Sequence, residues 1–121
     1  MRGPLAPAGV PLARTRAQQF DDLVLDAVNR LEARWEQQLA GVEFGVQEVP
    51  PPGPAPVPLA RFYPAAAGNP ARIVVYRRPV LARADGDDEL AALVFDAVVE
   101  EVALLLGVEP EAVDPGYDSD G

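Results

Sequence analysis

A chain of 121 residues with a formal charge of −9, no cysteine and no histidine is sized for one domain around one modest core. The negative balance argues against non-specific binding to nucleic acid or anionic membranes, which needs a positive field. The missing residue types remove disulfides, thiolate ligands, thiol nucleophiles and any Ser/His/Asp triad, the one serine being Ser119 near the C-terminus.

Residues 1–13 carry Pro4, Pro7 and Pro11 among small residues, a composition that removes backbone donors and predicts a flexible tail. It lacks the unbroken apolar run of a signal peptide, so a cytoplasmic address is the default expectation. One domain is predicted over 14–117. From Arg14 to Ala40, the residues Phe20, Leu23, Val24, Ala27, Leu31 and Trp35 recur at three- and four-residue spacings, predicting an amphipathic helix with Thr15 as N-cap and Gly41 as its stop. Val42 to Val49 alternates as a strand, with Val42, Phe44 and Val46 on one face.

Residues 50–58, PPPGPAPVP, exclude helix and central strand and favour extended polyproline II. The segment reads first as a surface connection. Its sharper reading is a proline-rich ligand for an aromatic groove on another protein. Leu59 to Pro64 reads as a short edge strand and Ala65 to Pro70 as a loop. Arg72 to Leu81, RIVVYRRPVL, is the strongest strand pattern in the chain, with Pro79 ending its pairing or lying at an edge.

Asp87 to Gly107, DDELAALVFDAVVEEVALLLG, predicts the central buried helix. Asp87 or Asp88 can cap its first turn and Gly107 can close it in the left-handed conformation. Leu90, Leu93, Val94, Ala97, Val98, Val102, Leu105 and Leu106 cover so much of its circumference that it must pack on more than one side. Asp96, Glu100 and Leu104 share one face, with Glu101 about 100° round from Glu100. The run is broken by charges and falls short of the ~20 residues needed to span a bilayer. Val108 to Val113 reads as a short helical turn, Asp114 to Tyr117 as a turn, and residues 118–121 as a polar tail. The whole predicts an α+β fold: an N-terminal helix, a small twisted sheet of three or four strands, and the Asp87–Gly107 helix packed across it.

The stretch Val98-Val99-Glu100-Glu101-Val102-Ala103-Leu104-Leu105-Leu106-Gly107, followed by Asp114, resembles the metal-binding helix of the small bacterial zincin-like metallopeptidases, the minimal zincins. Those proteins carry His-Glu-x-x-His, a Gly three residues on and an acidic residue beyond. The resemblance places Glu101 on the general-base Glu, Gly107 on the Gly and Asp114 on the third ligand. Glu100 and Leu104 stand where the two histidines belong. The resemblance runs from about Phe20 to Tyr117, and its most diagnostic motif is the damaged part.

Three protein ligands hold a catalytic zinc with one position open for water, and imidazoles at i and i+4 supply two of them. Leu104 has no lone pair to give, so the expectation is a family member that has lost zinc binding and peptidase activity, with no cofactor. Several readings stay open. Glu100, Glu101 and Asp114 could form a carboxylate cluster for a hard divalent cation, supporting an active enzyme with an altered ligand set. They could instead be solvated remnants, with Leu104 packed into the vacancy. A retained groove would take a peptide or protein partner by strand addition along Arg72–Val80, with Tyr76, Arg77 and Arg78 as contacts. An interaction protein acting through its proline-rich loop is the remaining alternative. Nothing in the sequence indicates an oligomeric state.

Overall fold

The computed structural model describes residues 15–117, in the order α1 (Arg16–Leu39), β1 (Glu43–Gln47), β2 (Ala60–Tyr63), β3 (Arg72–Tyr76), α2 (Arg77–Arg83), α3 (Asp87–Leu106) and α4 (Pro110–Val113). The two predicted tails, 1–13 and 118–121, lie outside the described residues. The fold is α+β, as the sequence pattern predicts. Among the described residues no helix is long and apolar enough to cross a membrane.

α1 begins where its sequence says it should. The Thr15 hydroxyl accepts from the Gln18 amide at 3.1 Å, and the Gln18 side chain accepts from the Thr15 amide at 2.9 Å, a reciprocal cap that satisfies two donors the helix itself leaves free. The helix kinks at Trp35, whose φ of −122° is non-helical, and Gly41 with φ +81° releases the chain into β1. The predicted apolar stripe is the buried one. Phe20, Val24, Ala27, Val28, Leu31 and Leu39 enter the core, while Leu23 and Trp35 pack against its margin.

The sheet has three strands in the order β1-β3-β2, with β1 parallel and β2 antiparallel to β3. Val42, Phe44 and Val46 pack towards the core as their alternation predicts, opposite Ile73 and Val75 of β3. β2 joins β3 through a two-residue turn at Ala67 and Gly68, both with positive φ, closed by paired hydrogen bonds between Ala66 and Asn69.

Two expectations about Arg72–Leu81 are corrected here. The strand ends at Tyr76, and Arg77 to Arg83 form α2. Pro79 falls in the first turn of that helix, where its missing N–H has no intrahelical partner to lose. β3 is also the central strand, hydrogen-bonded on both sides. It therefore offers no free edge for strand addition.

α3 crosses the sheet and is packed by α1, α2, α4, β2 and β3. It buries Val94, Ala97, Val98 and Val102 as predicted, and also Val99 and Ala103. Its amino end departs from expectation. Gly86 is the N-cap and neither Asp87 nor Asp88 makes a capping bond, since both already lie inside the first turn. Glu89 instead reaches back to accept from the Asp85 amide at 2.7 Å. Three acidic residues in that turn still complement the helix dipole. At the other end Gly107 has φ +72°, and the Val108 amide donates to the Ala103 carbonyl at 3.0 Å, the left-handed closure the sequence predicts. The chain then turns back through α4, where the Trp35 indole N–H donates to the Val113 carbonyl at 3.0 Å. That bond ties the last turn of α1 to the chain beyond α3.

Candidate functional site

Glu100 and Glu101 are neighbours in sequence, but the helical rotation between them sends their side chains to different surroundings. Glu101 is half-buried against β2, and its Oε1 accepts a 2.7 Å hydrogen bond from the Phe62 amide. The sheet register explains that donor. The Tyr76 amide donates to the Leu59 carbonyl at 2.8 Å, so in this antiparallel pair residues 59, 61 and 63 face β3 while the N–H of Phe62 points outward. Glu101 thus caps an amide on the sheet's free edge.

Desolvation pushes the Glu101 carboxyl above the ordinary glutamate value. The nearby charge of Glu100 adds to that rise, while the Phe62 hydrogen bond and Arg61 oppose it. A folded-state pKa above the unfolded one means that this group's contribution to stability is complete below the unfolded value. It is lost as pH rises through the folded value. Glu101→Gln keeps an acceptor for Phe62 and removes the partly buried charge. The variant is expected to gain on the wild type as pH rises from 4 to 7, by about 1 kcal/mol or less because water screens a half-exposed group. Thermal unfolding across that range checks this; an advantage that shrinks with rising pH would contradict it.

Glu100 lies on the solvent side of α3 and accepts a hydrogen bond from the Tyr117 hydroxyl. Desolvation and the hydrogen bond to Glu100 both raise the Tyr117 pKa, keeping the phenol protonated as a donor. The tyrosine is delivered by the turn after α4, in which its amide donates to the Asp114 carbonyl at 2.9 Å. The sequence identified Asp114 as the acidic residue of interest, whereas the group that reaches Glu100 is the aromatic residue three positions later.

Leu104 shares the face of Glu100 one turn on and is 64% exposed. The idea that it packs into a vacated ligand position is therefore corrected: among the described residues its side chain stays largely exposed. Among the described residues no group of three or more His, Cys, Asp or Glu side chains is placed to hold a metal ion, so Glu100, Glu101 and Asp114 do not form the carboxylate cluster considered from sequence. The residues at this site do not fit zinc. One carboxylate caps an amide, the other accepts from a phenol, and the remaining position is a hydrocarbon.

The contacts proposed for Arg72–Val80 are also placed. Tyr76 is fully buried and its hydroxyl pairs with that of Tyr63 at 2.8 Å. Burial and that hydrogen bond push its phenol up to about 12. The Arg77 guanidinium is held by Glu48, its Nε donating at 2.9 Å, and the hydrogen bond from Arg77 is the main reason the Glu48 carboxyl sits below its ordinary value. Arg78 is exposed, with its Nε 3.5 Å from the same carboxylate. Tyr76 and Arg77 are thus committed to internal contacts, and Arg78 alone of the three is open to a partner.

A sequence model of the zincin-like metallopeptidase family matches residues 39–118, more than half of the chain. No curated protein sequence matches it. The matched stretch begins at the last residue of α1 and takes in the sheet, α3, Asp114 and Tyr117.

Proposed function

Because the chain belongs to the zincin-like metallopeptidase family, we propose that it is a non-catalytic member, its scaffold kept for binding a peptide or protein and its zinc chemistry lost. The observation that carries this reading is the pair at i and i+4 on the exposed face of α3. Glu100 and Leu104 stand there in a chain with no histidine. A zinc hydrolase must gather three donors and leave one position for water. Here one of the two helix positions offers only methyl groups.

The surroundings agree with a site turned to structural use. Glu101, at the position of the family's general base, is engaged by the edge amide of Phe62. A base needs a bound water to deprotonate, and its raised pKa supplies no catalyst without a nucleophile and an activator. Hydrolysis is therefore not expected.

Elemental analysis of the full chain, purified without chelators and dialysed against zinc, tests the proposal. The expected result is far less than one zinc per chain and no cleavage of an unstructured protein such as casein at any added zinc concentration. One equivalent of zinc retained through dialysis would overturn it.

A further inference from the structure

The proline-rich segment is exposed over residues 51–57 and also lines a cavity. With Val49 and Leu59 it forms one wall of a groove of about 1060 Å³, whose opposite wall comes from α2 and from Arg61 of β2. We propose that this groove is a receptor for an acidic, apolar peptide segment. The inference is independent of whether the α3 site holds zinc.

Charge is the first argument. The chain carries −9, yet the groove is lined by Arg61, Arg78 and Arg83 and by no carboxylate. Among the described residues Arg61 and Arg83 form no ion pair. Arg61 lies 5.9 Å from the centroid of the Tyr63 ring, and Arg78 reaches Glu48 only at 3.5 Å, across an exposed pair of the kind that contributes little. Three guanidiniums gathered where the rest of the surface is negative leave a positive strip that favours carboxylates and can grip them with two parallel hydrogen bonds. A polyanion such as nucleic acid would meet the repulsion of the remaining surface.

The wall chemistry is the second argument. Six prolines of the 50–58 segment line the groove, and none has an N–H to offer. That wall presents rings and carbonyls, so the hydrogen-bond donors that orient a ligand come mainly from the arginines. Val49 and Val57, 55% and 56% exposed, add apolar surface for a partner's side chains. The groove stands at the upper end of small-ligand sites, roughly 300–1,000 Å³, which leaves room for several residues of peptide. Prolines also hold that wall near its bound shape, which lowers the ordering cost of binding.

Fluorescence anisotropy on the full chain tests this, with a fluorescein-labelled nonapeptide alternating Glu with Val and Pro, beside analogues carrying Gln or Lys in place of Glu. Saturable binding of the Glu peptide is expected at tens to hundreds of micromolar, about tenfold weaker for the Gln peptide and undetectable for the Lys peptide. Arg83→Glu should weaken the Glu peptide about tenfold and Arg78→Glu with Arg83→Glu further still. Arg34→Glu on α1, the same charge change on another exposed surface, should have less than a twofold effect. Thermal unfolding of each variant checks that it is folded. Equal binding of the Glu and Gln peptides, an equal effect of Arg34→Glu, or no saturation below 1 mM would overturn the proposal. So would a dimer in sedimentation that Arg83→Glu dissolves, since a second copy of the chain would then be the occupant.

Discussion

Glu100→His combined with Leu104→His is expected to give a chain that binds zinc at micromolar concentrations and melts roughly 10 °C or more higher when the metal is in hundredfold excess over its dissociation constant. Both positions are on the exposed face of α3, four residues apart, so two imidazoles there would converge on one ion from successive turns. Ligand at 100 times its dissociation constant stabilises the folded state by about 2.7 kcal/mol, and each kcal/mol is worth about 4–8 °C in a domain of this size. The cost is small, since Leu104 is 64% exposed and Glu100 gives up one contact, that with Tyr117. The zinc effect should fade below about pH 6 as the imidazoles protonate, and neither single variant should show more than a fraction of it. A folded double variant whose melting temperature ignores zinc would mean that these positions do not correspond to the family's ligand pair.

The other large effect concerns α1. All of it except Leu39 lies outside the stretch matched to the family, yet it supplies Phe20, Val24, Ala27, Val28, Leu31 and Leu39, six of the nineteen buried apolar residues among those described. Phe20 is 2% exposed, and Phe20→Ala is expected to cost about 3–5 kcal/mol through lost transfer energy and the cavity left behind. Set against the 5–15 kcal/mol typical of whole domains, that would bring the chain near its unfolding threshold at 37 °C. Leu25→Ala on the same helix, at a residue 57% exposed, should stay within about 0.5 kcal/mol. Urea unfolding compares them directly. Similar midpoints for the two variants would show that α1 is not integral to the core.

Local chemistry was legible in this sequence where a residue acts on its immediate neighbours. The Thr15 cap, the stop at Gly41, the closure at Gly107 and the apolar stripe of α1 all depend on groups within a few positions of one another. The end of β3 is not legible in the sequence, because Val80 and Leu81 continue an apolar run that fits strand or helix equally. The Tyr76–Arg77 boundary is set by tertiary contact, with Glu48 beyond β1 holding Arg77 and its carbonyl accepting the Arg78 amide at 3.0 Å. Sheet order was beyond reach for the same reason: the parallel pairing of β1 with β3 joins segments about 30 residues apart, with β2 between them in sequence. At the candidate site the helix positions were readable, but their partners were not. Phe62 is 39 residues from Glu101 and Tyr117 is 17 from Glu100, and no spacing rule links an edge amide or a loop phenol to a helical carboxylate.

The bond from Phe62 to Glu101 has a bearing on how this molecule survives at high concentration. β2 is an outermost strand, and outermost strands recruit neighbours whenever their backbone hangs unclaimed. A carboxylate laid across that fringe occupies one of its donors and adds a charge that an incoming chain must displace, while Pro64 just beyond the strand has no donor to offer. The carboxylate proposed to stand at the family's general-base position thus closes part of an edge that would otherwise be open to strand addition.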